Sequence, residues 1–242
     1  MYVGNIFCGK IEDGLEVKSF YRINMKIIVF DTETTGLPES RNTSILETEK
    51  WPYIVQISWI LYDCGTNEVL NVQDHIINSG VDIPDESAAI HGIDNARAQR
   101  KGVALIPVMD AFDSDLQSAD VVVAHNLSFD KRMFMVEAIR NKRKQYFTRN
   151  GVRKPEKCTM KGGKNLCAIE RIGNNGDVYY KYPTLSELHE KLFGYTPQGT
   201  HDSMADVLIC LRCYCFMENS SDVTKLDRSL GRIYELYCGN RA

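Results

Sequence analysis

The chain has 242 residues, of which 43% are hydrophobic and 25% are charged. That composition suffices for one globular domain with a sizeable apolar core. Lys and Arg number 29 against 32 Asp and Glu, a formal net charge of −3. Bulk charge therefore does not indicate nucleic-acid binding, and any such binding has to depend on a local patch. No apolar run approaches the roughly 20 residues of a membrane span, so no membrane partner is expected.

The first 24 residues mix charged and apolar side chains and lack the apolar stretch of a signal peptide. Because Met25 directly precedes an apolar run, we interpret residues 1–24 as a peripheral extension. We expect a soluble intracellular protein, cytoplasmic or, in a eukaryote, nucleoplasmic. The eight cysteines are then expected to be reduced thiols. Three of them share one predicted helix and are interpreted as packing residues rather than zinc ligands: Cys210, Cys213 and Cys215.

Two segments near the start predict a β-sheet. Residues 26–30 (KIIVF) form a short β-branched run that is typical of a strand buried on both faces. Residues 54–62 and 69–77 flank a turn that contains Gly65 and Asn67. This pattern predicts an antiparallel hairpin.

Helical patterns and one further strand occupy the rest of the chain. The strand is residues 121–124 (VVVA), and the helices are predicted over residues 104–117, from 128 to about 144, after Pro183, and over 203–217 and 225–237. The candidate N-caps are Ser128, Thr184 with Glu187 in a capping box, and Asp202 or Ser203. This order predicts an α/β domain, a mixed sheet flanked by helices. We place its limits at 25–218 and treat 219–242 as a C-terminal helical tail.

Asp31 and Glu33 stand where the first predicted strand ends. Side chains two residues apart on a strand point to the same face, so both carboxylates can converge on one point. Adjacent carboxylates repel one another, and a divalent cation that prefers oxygen ligands, Mg²⁺ or Mn²⁺, relieves the repulsion. The alternative for this tripeptide alone is a solvated strand end.

Two further acids lie at predicted helix starts. Asp130 follows the strand at 121–124, and α/β proteins place their sites beyond the carboxyl ends of strands. Asp206 lies early in a later helix, and His201 precedes it by five residues, which can place a base beside a metal ligand. Each feature has a structural alternative, because the helix dipole favours acids in first turns and a single histidine is more often structural.

Taken together, three ordered motifs resemble the DEDDh exonuclease superfamily, the family of the polymerase proofreading epsilon subunit, ribonuclease T and oligoribonuclease. They are DTETTGL at 31–37, AHNLSFD at 124–130 and HDSMAD at 201–206. An HGI segment that begins at His91 and YPTLSELHEKLFG at 182–194 agree with the same family. The resemblance covers residues 25–218. It implies a ribonuclease H-like fold with a mixed, mostly five-stranded sheet.

The resemblance implies hydrolysis of phosphodiester bonds from a 3′ end with two Mg²⁺ or Mn²⁺ ions, which stabilise the attacking and the leaving oxygens. The implied metal ligands are Asp31, Glu33, Asp130 and Asp206, and Asp31 would be shared by both ions. His201 would be the general base, because an imidazole titrates near neutral pH.

A site for the terminal nucleotide is also implied by the resemblance. The backbone from Thr34 to Leu37 would meet the 3′-hydroxyl, and the Leu37 side chain would wedge against the last base. The candidate substrate-binding residues are Thr34, Thr35, Leu37, His91, Asn126 and Phe129. The ring of Phe129 either stacks on a base or belongs to the core, and both interpretations stay open.

Ten Lys and Arg lie between Arg140 and Lys164, where Glu156 is the one acidic residue. This segment follows the second motif, so we expect it either to guide a phosphate backbone toward the site or to be a solvated loop without such contact. Its Gly162–Gly163 pair and its charge density predict mobility.

The substrate class is the least determined expectation. We expect action on single-stranded DNA in proofreading or repair, and the alternative is an RNA-directed exoribonuclease of the same family. A second alternative is a weakly active adaptor subunit that docks through residues 219–242 into a replication or repair assembly. The expected partners are a single-stranded 3′ end and a polymerase, and the sequence leaves the oligomeric state open.

Overall fold

A computed structural model describes residues 25–239. The expected extension at 1–24 lies outside the described residues. The strands within this range are β1 (Lys26–Thr34), β2 (Ile54–Asp63), β3 (Glu68–Ile76), β4 (Val121–Ala124), β5 (Thr148–Arg149), β6 (Val152–Arg153), β7 (Glu156–Cys158), β8 (Glu170–Ile172) and β9 (Val178–Tyr180). The helices are α1 (Asp85–His91), α2 (Asn95–Lys101), α3 (Leu105–Ser118), α4 (Leu127–Arg140), α5 (Thr159–Cys167), α6 (Leu185–Phe193), α7 (Ser203–Asn219), α8 (Val223–Leu226) and α9 (Arg228–Cys238), with a 3-10 turn at Thr48–Lys50.

Five strands form one mixed sheet in the order β3-β2-β1-β4-β7. The pairs β1–β2 and β2–β3 are antiparallel, whereas β1–β4 and β4–β7 are parallel. The predicted α/β class and five-stranded mixed sheet are therefore confirmed. Because β1 and β4 run parallel as neighbours, their carboxyl ends meet at the same edge of the sheet.

Strand β1 lies at the centre because its apolar residues are buried on both faces. Ile27 and Val29 pack in the cluster that contains α7, while Ile28 and Phe30 pack in the cluster of α3 and α4. Successive side chains on a strand alternate between faces, so one short apolar run serves two cores. This double burial rigidly holds the end of β1, where the acidic motif begins.

The helix caps agree with the predictions at two places and differ at one. The capping box between Thr184 and Glu187 is confirmed, and the Asp202 side chain caps α7 by accepting hydrogen bonds from the Met204 and Ala205 amides. The prediction of Ser128 as a cap is wrong. Helix α4 begins instead after a left-handed residue, Asn126 (φ 65°), whose side chain makes no capping bond.

The basic segment after α4 contains several elements of secondary structure and is not one continuous loop. Its mobility stays a prediction. Helix α4 ends at Arg140, and the chain then forms the β5–β6 hairpin, the edge strand β7 and helix α5. Gly163 is buried in α5, where a Cβ atom would lie 2.8 Å from Cδ1 of Leu188. The glycine therefore permits close packing of α5 on α6. No apolar run marks β7, an edge strand in which Lys157 is exposed and Glu156 and Cys158 are half-buried.

Helices α8 and α9 pack against α7. Leu230 and Tyr234 of α9 are buried in the same cluster as α7. Arg212 of α7 forms a paired ionic contact with Asp222, with Nε–Oδ1 and Nη2–Oδ2 distances of 3.0 and 2.9 Å. Its Nη1 also donates to Nε2 of His189 at 3.1 Å. The domain boundary at residue 218 stays a prediction, but α8 and α9 share the core of the domain.

Two further expectations concern the whole chain. Cys210, Cys213 and Cys215 are buried free thiols, as predicted for packing residues. In the described part of the chain, no helix has both the length and the apolar character to cross a membrane.

Candidate active site

Three elements converge at the carboxyl end of β1. Asp31 and Glu33 lie two residues apart on β1 and so point to the same face. The first residue of α7 is tied to this strand, because the Ser203 hydroxyl donates to the Asp31 carbonyl oxygen at 2.8 Å. This bond brings the third acidic motif next to the first.

A buried glutamine supports the junction between β1 and α7. The Gln56 Nε2 group donates to Asp74 Oδ1 at 2.8 Å, and the Ser203 amide donates to Gln56 Oε1 at 3.4 Å. Gln56 is 2% exposed, and a buried amide side chain needs such partners. The sequence analysis missed this residue. Its signal was a polar residue inside the apolar strand IVQISWILY.

Asp130 reaches the same site from the other face of the sheet. It lies in the first turn of α4 and is buried. Its Oδ1 accepts two hydrogen bonds from Thr32, from the amide at 3.1 Å and from the hydroxyl at 2.9 Å. Because Thr32 stands between Asp31 and Glu33 in the chain, these bonds anchor Asp130 beside the two β1 carboxylates.

Glu33, His201 and Asp206 form the tightest group of potential ligands. One ligand atom of each lies within 4.8 Å of those of the other two. The His201 amide donates to Asp206 Oδ2 at 3.2 Å, whereas the buried Oδ1 of Asp206 has no hydrogen-bond partner among the described residues. A buried carboxylate oxygen that accepts no hydrogen bond is available to a cation.

Burial raises the pKa of all four carboxyl groups, and repulsion between neighbouring acids adds to the increase. Burial raises the pKa of Glu33 to about 8, and repulsion from Asp206 and Asp130 adds to the increase. Burial is also the main cause that raises the pKa of Asp130 and of Asp206 to about 7. Burial, followed by repulsion from the other three acids, raises the pKa of Asp31 well above its ordinary value. This oxygen-rich acidic set fits hard divalent cations such as Mg²⁺ or Mn²⁺.

The loop after β1 is shaped by its own polar residues. The Thr34 hydroxyl donates to the Gly36 carbonyl at 2.7 Å. Thr35 pairs with Tyr53 in both directions, through its amide at 2.9 Å and its hydroxyl oxygen at 3.0 Å. Leu37 follows with 81% of its side chain exposed. The loop thus presents an apolar side chain to solvent at the end of β1.

His91 lies at the end of α1 and faces the same loop. Its Nδ1 accepts a hydrogen bond from the Ile93 amide at 3.1 Å, which leaves the hydrogen of the neutral ring on Nε2. That buried Nε2 has no hydrogen-bond partner in the part of the chain that the structure describes. Burial lowers the pKa of His91, and the charges of Arg97 and His201 lower it further. Interaction with the Thr34 backbone partly offsets this lowering, so the ring of His91 lies against the loop that begins at Thr34.

The remaining predicted substrate-binding residues are less closely tied to the carboxylates. Asn126 is exposed, and Phe129 is half-buried against the core cluster that contains Phe134. Their link to the carboxylates is one of chain position, because both lie within the four residues before Asp130. The structure leaves both interpretations of Phe129 open.

His125, which the sequence analysis did not assign, holds this loop in place. Its Nε2 donates to the Pro183 carbonyl at 3.2 Å, and its Nδ1 lies 2.9 Å from the Thr159 hydroxyl. Burial lowers the pKa of His125 to about 4, so its ring is neutral at physiological pH. The loop that leads to Asp130 is thereby attached to α5 and to the segment before α6.

Comparisons with known proteins identify the family of the chain. The RNase_T family model, described as Exonuclease, matches residues 28–214 of the chain. A DNA polymerase III subunit epsilon-like protein of Rhodobacter capsulatus is 35% identical over 106 residues, which are 44% of this chain and 14% of that protein. The matched region is thus a small part of that relative.

Solved structures of exonuclease I share the fold. The zinc-bound complex of E. coli exonuclease I with single-stranded DNA is 16% identical, with a TM-score of 0.59 over 88% of this chain and 42% of that one. Its complex with a dT13 oligonucleotide has a TM-score of 0.60 and 16% identity, and covers 84% and 42% of the two chains. Exonuclease I from Methylocaldum szegediense has a TM-score of 0.58 and 17% identity, with coverage of 84% and 42%. This chain spans less than half of each, and the likeness is one of fold.

Proposed function

This chain belongs to the exonuclease family, and we propose that it removes nucleotides from the 3′ end of single-stranded DNA with two bound Mg²⁺ or Mn²⁺ ions. The observation that carries the proposal is the convergence of Glu33, His201 and Asp206 within 4.8 Å, beside the buried carboxylates of Asp31 and Asp130. Four clustered acids whose pKa values are raised, mainly by burial, form a stable site when cations neutralise them.

Each carboxylate has a separate position in the proposed metal site. Asp31, Glu33 and Asp206 would hold one ion, and Asp31 and Asp130 the other. When bound, the two ions supply positive charge to the attacking and the leaving oxygens and lower the pKa of the attacking water. The bonds from Thr32 to Asp130 keep that carboxylate oriented while the charge at the site changes.

His201 is the proposed general base. Its side chain is exposed, so its imidazole can take a proton from the attacking water and release it to solvent. The bond from its amide to Asp206 Oδ2 holds the residue beside the carboxylates. A base fixed by its own backbone needs little reorganisation when the proton is transferred.

The terminal nucleotide is proposed to lie against the loop from Thr34 to Leu37. The exposed Leu37 side chain would contact the last base, and His91 would line the nucleotide site beside Thr34. Thr34 and Thr35 would position the loop backbone, and Asn126 and Phe129 would border the substrate on the α4 side. The 3′→5′ direction is proposed from the resemblance of these motifs to the DEDDh family.

DNA is the proposed substrate because of the proteins that this chain resembles. The Rhodobacter relative is named a DNA polymerase III subunit epsilon-like protein, and the exonuclease I structures contain single-stranded DNA. No residue of the site can be assigned to reading a 2′-hydroxyl. A polymerase is the proposed protein partner on the same basis.

The test compares matched single strands of DNA and RNA, labelled at either end, with Mg²⁺, with Mn²⁺ or with a chelator. We expect metal-dependent shortening from the 3′ end, faster on DNA, and its loss in Asp31→Asn. Asp202→Asn is the matched control, because Asn also caps helices and Asp202 lies next to His201 without a proposed ligand role. The proposal is refuted if the wild-type protein shortens no strand faster than Asp31→Asn does.

A further inference from the structure

An open groove of about 890 Å³ runs along the outer edge of the sheet. Its floor includes β7, which is the edge strand beside β4. Helix α4 forms one wall, and α5 forms the other with the end of α7. The loop around Thr43 lies at its rim. None of the residues assigned above to metal or substrate binding lines this groove.

The groove is cationic although the chain as a whole is acidic. Five Lys or Arg and two Glu line it, whereas the full chain has 29 basic and 32 acidic residues. Two of the cations are held by the protein. Lys131 is paired with Glu156, and Arg132 donates to the Arg41 and Thr43 carbonyls.

Three exposed cations remain for a ligand. Lys161 has no ion pair or hydrogen bond with any residue that the structure describes. Lys157 Nζ lies 3.1 Å from Glu218 Oε1, and Arg153 Nε lies 4.0 Å from Glu156 Oε1. Exposed pairs of this kind contribute little to stability. An incoming phosphate can therefore displace these carboxylates at little cost.

One end of the groove lies near the carboxyl ends of β4 and β7, on the side of the sheet where the carboxylates lie at the end of β1. Leu127 and Ser128 line the groove, and they belong to the same first turn of α4 as Asp130. At the far wall, Thr159 begins α5 and bonds to His125 in the loop that leads into α4. A single strand of nucleic acid whose 3′ end lies at the carboxylates can thus continue into the groove without crossing the protein.

We infer that this groove binds the phosphate backbone of the same single strand, on the 5′ side of the nucleotide that is removed. The inference rests on the proposed function, which supplies a single-stranded polyanion at the carboxyl ends of the strands. Arg153, Lys157 and Lys161 contact its phosphates. Met135 and Ile45, which are partly buried, also line the groove. Their apolar side chains can contact the sugars of a nucleic acid but are poor partners for a charged protein surface.

The test is the salt dependence of binding to a long fluorescent single strand of DNA, measured in chelator so that no cleavage occurs. We compare the wild type with a triple variant, Arg153→Gln, Lys157→Gln and Lys161→Gln. A single-stranded phosphate contact contributes about 0.7 to the slope of log K against log salt, so the loss of three contacts lowers the slope by about 2. At low salt, we expect the affinity of the triple variant to fall roughly ten-fold or more.

The matched control removes the same number of exposed charges from α8 and α9: Lys225→Gln, Arg228→Gln and Arg232→Gln. With Mg²⁺, the ratio of kcat/KM on the long strand to that on a dinucleotide is expected to fall about ten-fold in the groove variant and to stay unchanged in the control. Thermal unfolding of both triple variants shows that each is folded.

An unchanged slope in the groove variant overturns the inference, and so does an equal loss in the control. These outcomes are distinct from failure of the proposed function. If the wild type hydrolyses neither substrate, the proposed function fails, while the salt slope in chelator still decides whether the groove binds the strand.

Discussion

His201 combines a proposed catalytic role with an unfavourable backbone. Its φ is 72°, a left-handed conformation that costs a non-glycine residue roughly 1 kcal/mol. Substitution by Gly removes this cost together with the imidazole. We therefore expect His201→Gly to lower kcat about 10²- to 10⁴-fold without lowering the free energy of unfolding.

The matched variant is His201→Ala, which loses the same activity and keeps the backbone cost. Urea unfolding should show His201→Gly to be more stable than His201→Ala by about 1 kcal/mol. If His201→Gly retains wild-type kcat, His201 is not the general base.

At the scale of elements, the junction of β2, β3 and α7 depends on one amide. Gln56→Met has a similar volume but cannot bond to Ser203 or to Asp74. We expect it to lower the free energy of unfolding by about 1–3 kcal/mol, because the buried partners lose a hydrogen bond. It should also weaken Mg²⁺ binding, since α7 carries Asp206.

Ser58→Ala is the control for this element. The Ser58 hydroxyl also donates to Asp74 Oδ1, at 2.9 Å, but it makes no bond to α7. Calorimetric titration with Mg²⁺ should therefore give a reduced affinity for Gln56→Met and wild-type affinity for Ser58→Ala. Equal affinity in both variants would show that the junction does not position Asp206.

Helices α8 and α9 behave as part of the domain in this structure, which bears on the docking-tail alternative. Deletion of residues 219–242 removes Asp222, the ionic partner of Arg212, whose side chain is 8% exposed. An uncompensated buried charge costs about 3–5 kcal/mol, and the loss of buried Leu230 and Tyr234 adds to this. We expect the truncated protein to unfold at a much lower temperature.

The control for truncation is the double variant Arg212→Met, Asp222→Leu, which removes both charges and keeps the helices. Calorimetry should show it to be far more stable than the truncated chain. A truncated protein that melts at the wild-type temperature would instead support a separable tail.

At the scale of the whole molecule, the four site carboxylates link stability to pH and metal. Their pKa values are raised, to about 8 for Glu33 and about 7 for Asp130 and Asp206. An acid with a raised pKa stabilises the fold below its unfolded pKa of about 4, and that contribution is lost as pH rises through about 7–8. In chelator, Tm should therefore fall from about pH 6 to about pH 9.

Mg²⁺ should restore the lost stability, because it binds the ionised carboxylates of the folded state alone. The increase in Tm on adding Mg²⁺ is expected to be larger at about pH 8 than at about pH 6, and to be small in Asp31→Asn. Scanning calorimetry at both pH values, with and without Mg²⁺, measures these changes in Tm. A rise in Tm that is equal in the wild type and in Asp31→Asn would argue against metal binding at these residues.

Local patterns in the sequence predicted the elements that carry the site. The apolar run 26–30, the hairpin, the VVVA strand and the Thr184 capping box depend on neighbours within a few residues, so periodicity and hydrogen-bonding chemistry reveal them directly. The three acidic motifs were recognisable because each occupies a strand end or a helix start.

Such local patterns could not predict contacts between distant segments of the chain. Gln56 meets Ser203 across 147 residues of sequence, and His125 meets Pro183 across 58. The edge strand β7 has no apolar run of its own, and the cationic groove exists because α4, α5 and β7 pack together. These contacts depend on tertiary packing. A polar side chain in a strand can form a hydrogen bond with any element that the fold places beside it, so the nearby sequence does not indicate its partner. The sequence thus specified which candidate ligands and which candidate base are present, and the fold specified how these side chains are held and which groove lies beside them.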